Sequence, residues 1–306
     1  MKTISLGKSG LKVPAVAVGC MRMAGLDVPQ AERYIARCLE LGANYFDHAD
    51  IYGGGRSEEI FAAASHMSPS VREKMYIQSK CGIISGKMYD ASKAHILEAT
   101  DGILRRLNTE YLDALLLHRP DALIEPEEVA EAFETLRASG KVRHFGVSNS
   151  KPMQIQLLQK YLPMPLIVDQ LQFSPTESNM IRSGMEVNMS TEGAVDRDGS
   201  VLDFCRLNEI TIQAWSPFQY GFFEGVYLGS DKFPELNRVI DELAAKYGVS
   251  NTAIATAWIL RHPAHIQMIA GTMNENRIAE ICAATELVLS REDWYRVYLA
   301  AGHILP

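Results

Sequence analysis

Residues 112–149 read LDALLLHRPDALIEPEEVAEAFETLRASGKVRHFGVSN and carry the clearest signal of the fold. The runs Leu112–His118 and Val142–Ser148 are continuously apolar rather than alternating, which is typical of strands covered on both faces. Between them a proline opens a helical pattern of apolar residues and a glycine ends it: Pro126, Val129, Phe133, Leu136 and Gly140. This order predicts a parallel β-α-β unit.

The same kind of unit recurs along the whole chain. The runs that we predict to be strands are Val16–Gly19, Tyr45–Asp47, Met75–Lys80, Leu112–His118, Val142–Ser148, Leu166–Gln170, Ile210–Trp215 and Ile266–Ala270. Eight such strand-then-helix units predict an α/β fold, the (β/α)8 TIM barrel. The alternative is a doubly wound open sheet, but Gly53-Gly54-Gly55 lacks the G-x-G-x-x-G spacing of dinucleotide-binding sheets.

Some segments lie outside these units. Thr3–Leu6 and Lys12–Val13 flank turn residues and predict an N-terminal hairpin over the lower end of the barrel. Asn251–Leu260 and Arg291–Leu299 predict extra helices toward the C-terminal end. Phe173–Ser200 is long and irregular, which indicates either a substrate loop or an insertion.

Composition narrows the class of protein. No linker divides the sequence, so we expect a single domain over residues 1–306. The net charge of −7 argues against broad nucleic-acid binding. Neither a membrane span nor a secretory signal is visible. The five cysteines are odd in number and scattered, which suits a reducing cytosol rather than a disulfide framework or a zinc ribbon. We expect a cytoplasmic monomer without nucleic-acid or membrane partners.

Polar or aromatic residues end six consecutive predicted strands. They are Asp47, Lys80, His118, Ser148 with Asn149 next to it, Gln170 and Trp215. Any one of them alone is more often a solvated or capping residue than a catalytic one. Active sites of (β/α)8 barrels are built at the C-terminal strand ends, so the whole series predicts a site there.

The chemistry of this series points to proton transfer with Tyr52. A tyrosine is a weak acid with an ordinary pKa of about 10, and a nearby ammonium such as that of Lys80 lowers this pKa. Asp47 can hold Lys80 as an ion pair, and His118 can orient a carbonyl oxygen beside Tyr52. Such a site can protonate an oxygen while a hydride reaches the carbon, but a cofactor must supply the hydride.

At these residues the sequence resembles the aldo-keto reductase family, in a bacterial-type oxidoreductase branch, over essentially its whole length. The segments that carry the resemblance are Phe46-Asp47-His48-Ala49-Asp50-Ile51-Tyr52-Gly53, Lys80-Cys81-Gly82, Leu115-Leu116-Leu117-His118, Gly146-Val147-Ser148-Asn149, Gln170-Leu171-Gln172-Phe173, Ala214-Trp215-Ser216-Pro217 and Gly271-Thr272 followed by Arg277. The resemblance implies NADP(H) as cofactor and reduction of small aldehydes or ketones to alcohols.

The resemblance also implies roles by position. Asp47, Tyr52, Lys80 and His118 match the catalytic tetrad, with Tyr52 as general acid. The positions that match cofactor-binding residues are, from the nicotinamide to the adenine end, Ser148, Asn149, Gln170, Trp215, Ser216, Pro217, Phe218, Gly271, Thr272, Arg277 and Glu280, together with Gly19, Met21 and Arg22 after the first strand. Among these, Thr272 and Arg277 match the residues that bind the 2′-phosphate. Ala270 and Ile281 depart from the family pattern, where proline and asparagine are usual.

Two other functions remain open from the residues alone. A metal-dependent barrel hydrolase could use Asp47, His48, Asp50 and His118 as ligands, with His262 and His265 as another pair, although a lysine-tyrosine pair adds nothing to zinc chemistry. A non-enzymatic, cofactor-sensing regulatory subunit is the second alternative.

The sequence leaves the substrate unidentified. Loops expected to line the pocket are Met23–Leu26, Ile83–Tyr89 and Phe218–Leu228. The last is rich in aromatic residues, which suits an apolar or aromatic carbonyl compound or simply packs the loop.

Overall fold

A computed structural model describes residues 1–305. Its strands are β1 (Thr3–Ser5), β2 (Lys12–Pro14), β3 (Val16–Gly19), β4 (Tyr45–Asp47), β5 (Tyr76–Cys81), β6 (Ile83–Ile84), β7 (Met88–Tyr89), β8 (Leu112–Leu117), β9 (Val142–Ser148), β10 (Leu166–Gln172), β11 (Thr211–Trp215), β12 (Gln219–Tyr220), β13 (Gly225–Val226) and β14 (Gln267–Ala270).

The helices connect these strands. They are α1 (Val28–Glu40), α2 (Arg56–Ala64), α3 (Pro69–Arg72), α4 (Lys93–Leu107), α5 (Pro126–Ala138), α6 (Pro152–Tyr161), α7 (Asn179–Met185), α8 (Val201–Asn208), α9 (Pro234–Tyr247), α10 (Asn251–Leu260), α11 (Glu275–Ala283) and α12 (Arg291–Ala300). The termini follow ordinary capping chemistry: a proline begins α5 and α9, and Gly248 ends α9 in the left-handed conformation.

Eight strands close into a parallel barrel in the order β3, β4, β5, β8, β9, β10, β11, β14. This arrangement confirms the predicted (β/α)8 barrel. The strands are buried along nearly their whole length because side chains fill the interior and helices cover the outside. The predicted strand limits differ by one or two residues, most visibly at β10, which continues to Gln172. His118 lies just beyond the end of β8 rather than within it.

The predicted N-terminal hairpin is present as β1 and β2, paired antiparallel with Ile4 opposite Val13. It covers the lower end of the barrel. The backbone N–H of Gly7 donates to Oγ1 of Thr211, at the start of β11, over 2.7 Å. Gly7 has φ +49°, and a side chain here would collide with the carbonyl of Ile167, so this contact requires glycine.

The predicted extra helices are α10 and α12, and they pack against each other through two tryptophans. The rings of Trp258 and Trp294 are stacked with centroids 4.9 Å apart. Each indole N–H donates to the other residue's carbonyl over 3.0 Å. No helix within residues 1–305 is long and apolar enough to cross a membrane.

The segment Phe173–Ser200 is more ordered than its sequence predicted. Within this stretch, which the sequence indicated to be irregular, lie α7 and a short 3-10 turn, Glu192–Ala194. Buried polar contacts order it: Glu186 pairs with Arg182, and Ser178 shares a 2.8 Å hydrogen bond with His303 near the C-terminal end.

Candidate active site

A cavity of about 1400 Å³ opens at the C-terminal ends of the barrel strands. Pockets for drug-sized ligands measure roughly 300–1,000 Å³, so this cavity has room for more than one such molecule. The predicted strand-end residues converge here as the barrel geometry requires. Asp47, Tyr52 and His118 line the cavity. Lys80 is fully buried behind them.

An ion pair forms the floor of the cavity. The Lys80 ammonium donates to both carboxylate oxygens of Asp47 over 2.8 Å and to the carbonyl of His48 over 2.8 Å. It also donates to the Tyr52 hydroxyl oxygen over 3.2 Å. Asp47 ends β4 and Lys80 lies in the neighbouring β5, so the parallel pairing of these strands brings the charges together. A buried ammonium therefore lies against the phenol.

A tight glycine turn holds Tyr52 over this floor. Tyr52–Gly55 forms a 3-10 turn in which Gly53 and Gly54 have positive φ of 59° and 65°. A β-carbon on Gly53 would lie 2.6 Å from that of Ala24, so a side chain at this position would displace the turn. The glycines after Tyr52 are thus required by the backbone that positions the phenol.

Burial and the charge of Lys80 act on the pKa of Tyr52 in opposite directions. Burial raises the pKa of Tyr52 above its usual value and outweighs the lowering effect of Lys80; Asp47 raises it further. The predicted lowering of this pKa by Lys80 is confirmed in direction, and burial, which the sequence does not reveal, decides the net shift. The Lys80 pKa is itself raised: burial opposes the charged form, but the contacts with Asp47 and Tyr52 dominate. The resting site holds a protonated phenol beside an ammonium.

His118 is an uncharged imidazole. Burial, Lys80 and Arg119 together lower the pKa of His118 to about 2. Its ring meets that of Tyr52 edge to face, with centroids 5.9 Å apart. A neutral imidazole and a phenol side by side can both hydrogen-bond one carbonyl oxygen.

A layer of glutamines beneath the site was missed in the sequence. Gln78 and Gln170 each donate an amide hydrogen to Oδ1 of Asp47, over 2.6 Å and 3.1 Å. Both also donate to Gln213, which in turn donates to Gln267 over 2.7 Å. The available signal was polar side chains in the middle of apolar strands, with Gln78 two residues before Lys80 and so on the same face. These amides orient the carboxylate that holds Lys80.

On one side of the cavity, hydrogen bonds join the predicted nicotinamide-binding residues. Asn149 donates to Oγ of Ser148 over 2.7 Å and accepts from the Trp215 indole over 3.1 Å. Oγ of Ser148 donates to the carbonyl of Gln170 over 2.9 Å. The ring of Trp215 is stacked on Phe223, with centroids 5.8 Å apart. The result is a polar edge next to a flat aromatic face.

The opposite end of the cavity is basic. Arg22 donates to the carbonyl of Gly271 over 3.0 Å. Arg277 is exposed in the first turn of α11, and its backbone N–H is capped by Asn274 over 2.9 Å. Oγ1 of Thr272 accepts from the Asn274 N–H over 3.1 Å. The positive end of a helix dipole and two guanidinium groups make this region suitable for phosphate.

Nearly all of the predicted cofactor-binding residues line this one cavity. They are Gly19, Met21, Arg22, Ser148, Asn149, Gln170, Trp215, Ser216, Pro217, Phe218, Gly271, Thr272 and Arg277. Glu280 is not among the residues that line the cavity. Its carboxylate instead accepts a hydrogen bond from the Ser250 hydroxyl over 2.8 Å.

The loops expected to line the pocket do so unequally. The Ile83–Tyr89 segment contributes Ile83, Gly86 and Tyr89, whereas Met23 of the first loop is buried in the core.

The candidate metal ligands do not assemble. His48 packs edge-on against Phe61, and the described residues contain no group of three His, Cys, Asp or Glu able to hold a metal ion.

Comparisons of the sequence and of the fold identify a matching family and similar proteins. Residues 15–298 match the profile of the Aldo/keto reductase family. The chain is 35% identical over 322 residues to the uncharacterized oxidoreductase YcsN of Bacillus subtilis (strain 168), with 100% of both chains covered. It is 32% identical to a 6-dehydroglucose reductase of Agrobacterium fabrum, with 98% of each covered. An aldo-keto reductase from Klebsiella pneumoniae, solved with NADPH, superposes with a TM-score of 0.77 at 25% identity, covering 97% of this chain and 93% of that chain.

Proposed function

The chain belongs to the aldo/keto reductase family, and on that premise we propose that it reduces the carbonyl group of small molecules with NADPH, with Tyr52 as the proton donor. The observation that carries the proposal is the contact of 3.2 Å between the Tyr52 hydroxyl and the Lys80 ammonium at the cavity floor. A phenol that is protonated at rest and lies beside a fixed cation suits proton donation to an oxygen that gains negative charge.

The residues of the chain act on the oxygen end of the substrate. When bound, NADPH supplies a hydride to the carbonyl carbon. Tyr52 gives its proton to the carbonyl oxygen, and Lys80 stabilises the phenolate that remains. Asp47 keeps the ammonium charged and in place through two contacts of 2.8 Å. The neutral imidazole of His118 hydrogen-bonds the same oxygen and orients it. Solvent then returns the proton to Tyr52.

We propose that the cavity wall binds the parts of the cofactor in sequence, beginning with the nicotinamide. We propose that Ser148, Asn149 and Gln170 hold the nicotinamide carboxamide. Gln170 uses both amide hydrogens on Asp47 and Gln213, so its oxygen remains to accept from the carboxamide. Trp215 supplies the stacking face.

We propose that the far end of the cavity binds the phosphates and the adenine. Ser216, Pro217 and Phe218 lie in the loop proposed to cover the pyrophosphate. Arg277 and Thr272, with Gly271 beside them, are proposed to bind the 2′-phosphate. Glu280 is retained as a candidate adenine contact. Gly19, Met21 and Arg22 are proposed to contact the cofactor from the first strand. Because the proposed catalytic and cofactor-binding residues from along the sequence line one cavity, we propose that residues 1–306 act as one domain.

The decisive test is turnover by the purified protein. NADPH consumption should follow addition of an aromatic aldehyde, with alcohol formed in equal amount, and a metal chelator should not slow it. Binding of NADPH without turnover across aldehydes, ketones and quinones would contradict the proposal and favour a regulatory subunit. Loss of activity with a chelator would favour metal chemistry.

A further inference from the structure

We propose that Arg119 makes the substrate end of the cavity a binding site for carbonyl compounds that carry an anionic group, such as a carboxylate. This inference rests on the proposed reductase function and names its substrate class. The reasons are the position of Arg119, the lack of a partner for its charge, and the chemistry of the surrounding wall.

Arg119 lies directly after His118, beyond the end of β8, and lines the cavity. It is partly buried. Its guanidinium carbon is 5.9 Å from the centre of the Phe222 ring, at the outer limit of a cation–π contact. Within residues 1–305 the Arg119 guanidinium forms no ion pair and no hydrogen bond. The N–H groups of this guanidinium are therefore free to bind a ligand in the cavity.

The surrounding carboxylates do not satisfy this charge. Among the described residues that line the cavity, Asp47 is the one carboxylate, and Lys80 and two glutamine amides occupy its oxygens. Asp121, two residues after Arg119, accepts instead from the backbone N–H groups of Ala91 and Leu123, each over 2.9 Å. No carboxylate among the described lining residues is therefore left unpaired to neutralise the guanidinium.

The position of Arg119 separates it from the proposed phosphate-binding arginines. Arg22 follows β3 and Arg277 follows β14, which are neighbours in the barrel. β8 is four strands from β14 in either direction, so Arg119 lies diametrically across the barrel. It lies instead beside His118, which is proposed to orient the substrate carbonyl. An anion held by Arg119 therefore belongs to the substrate.

The wall near Arg119 indicates the rest of the substrate. The cavity that Arg119 lines also includes Ile83, Tyr89, Phe222 and Val226, which make part of its wall apolar and aromatic. A guanidinium binds a carboxylate through two parallel hydrogen bonds, a geometry that an ammonium cannot copy. Arg119 and His118 both line this cavity, so one small molecule can present its anionic group to Arg119 and its carbonyl to His118. The substrate class is a compact aldehyde or ketone with an apolar body and an acidic group.

The test compares two probes on matched variants. The probes are para-formylbenzoate and its neutral methyl ester, and the quantity is the ratio of their kcat/KM values with saturating NADPH. We expect Arg119→Gln to lower this acid-to-ester ratio by about 10- to 100-fold, the range for a lost hydrogen bond to a charged group. Arg119→Lys should recover part of the ratio. Comparing variants on the same two probes removes the intrinsic reactivity of each aldehyde.

The control variant is Lys232→Gln. Like Arg119, Lys232 places a cation over an aromatic ring beside this loop, 4.8 Å from the centre of Tyr220, but it lies outside the cavity wall. It should leave the ratio unchanged. In the wild type, added salt should lower the ratio because it screens a partly exposed ion pair. This salt series also tests the inference should Arg119→Gln fail to fold.

The outcomes separate the inference from the function. No reduction of either probe by the wild type would contradict the proposed reductase function. Reduction of both, with a ratio that neither Arg119→Gln nor salt changes, would overturn the inference alone. Equal loss on both probes in Arg119→Gln would also overturn it, since Arg119 would then act only through His118 or the loop.

Discussion

Tyr52 shows how burial and charge compete at a single residue. Burial raises its pKa, while the Lys80 ammonium lowers it by a smaller amount. The phenol is therefore protonated before the reaction, and the proposed reduction uses this proton. Lys80 acts when the proton has left, because a phenolate 3.2 Å from an ammonium is stabilised far more than a neutral phenol.

Lys80 and Asp47 should behave as one unit in a double-mutant cycle. Lys80→Met removes the cation beside Tyr52 and leaves a buried carboxylate, and Asp47→Asn removes the anion that holds the cation. We expect each single change to lower kcat by on the order of 100-fold or more. The double variant should lose much less than the product of the two losses, because the second change removes a partner already gone. The measurement is kcat under saturating substrate for the three variants. Losses that multiply fully would show that the two residues act independently.

The connection from β14 to α11 is the element that we expect to select NADPH over NADH. Tyr34 of α1 donates its hydroxyl hydrogen to the carbonyl of Thr272, which fixes this connection against the neighbouring helix. Arg277 projects from the first turn of α11, where a positive charge is unfavourable unless an anion is near. The 2′-phosphate, present in NADPH alone, is that anion in our proposal.

Arg277→Ala should therefore weaken NADPH binding by about 10- to 100-fold, the range for hydrogen bonds to a charged group. Affinity for NADH should stay nearly constant, as should kcat at saturating cofactor. Dissociation constants for both cofactors follow from quenching of tryptophan fluorescence. Arg291→Ala is the matched control, since Arg291 is also exposed in the first turn of a helix but lies outside the cavity wall. Equal weakening of both cofactors by Arg277→Ala would make Arg277 a structural residue.

At the level of elements, sequence patterns predicted the limits of those strands and helices whose ends are set by neighbouring residues in the chain. Strands β3, β4 and β9 and helix α10 have the predicted limits, since continuous apolar runs and capping residues define them. The short hairpins β6–β7 and β12–β13 have two-residue strands that only pairing defines.

Helix α7 escaped prediction because it lacks the usual local signals. It has no side-chain cap at Ser178, and Gly184 lies within it. Its tertiary contacts, such as the hydrogen bond between Ser178 and His303, cannot be read from the sequence.

For the site, the sequence predicted which side chains converge but not their energetics. Parallel strands end at one rim, so Asp47, Lys80 and His118 could be placed together from their positions alone. The pKa of Tyr52 depends mainly on how deeply the side chain is buried. The spacing of residues in the sequence does not reveal this burial. The glutamine layer was missed because the glutamines lie on different strands. Their side chains contact one another only once the barrel has closed.

At the scale of the whole molecule, Asp169 should make stability depend on pH. It is buried on β10, where Oδ1 accepts from the Ser150 N–H over 3.4 Å and Oδ2 has no partner among residues 1–305. Burial raises the pKa of Asp169 to about 8, against about 3.9 in an unfolded chain. Between these values the folded state holds a proton that the unfolded state has lost. Stability should therefore fall as pH rises from about 4 to about 8.

Asp169→Asn tests this effect, because asparagine has the shape of the protonated acid and does not titrate. The difference in free energy of unfolding between variant and wild type should grow with pH, by up to about 1.4 kcal/mol per unit. Urea titrations at pH 5 and pH 7 measure it, and subtracting the wild type removes the contributions of other groups. A difference that is constant with pH would mean that Asp169 is ionised in the folded protein.

The central claim is that Tyr52 donates the proton in an NADPH-dependent reduction. The most direct measurement compares the wild type with Tyr52→Phe in NADPH-dependent reduction of an aromatic aldehyde, with NADPH affinity followed in parallel by tryptophan fluorescence. The change removes one hydroxyl and keeps the ring that packs at the cavity wall. We predict that turnover falls by roughly 100-fold or more while NADPH affinity is essentially unchanged. Turnover close to that of the wild type, with NADPH bound equally well, would contradict the assignment of Tyr52 as the acid.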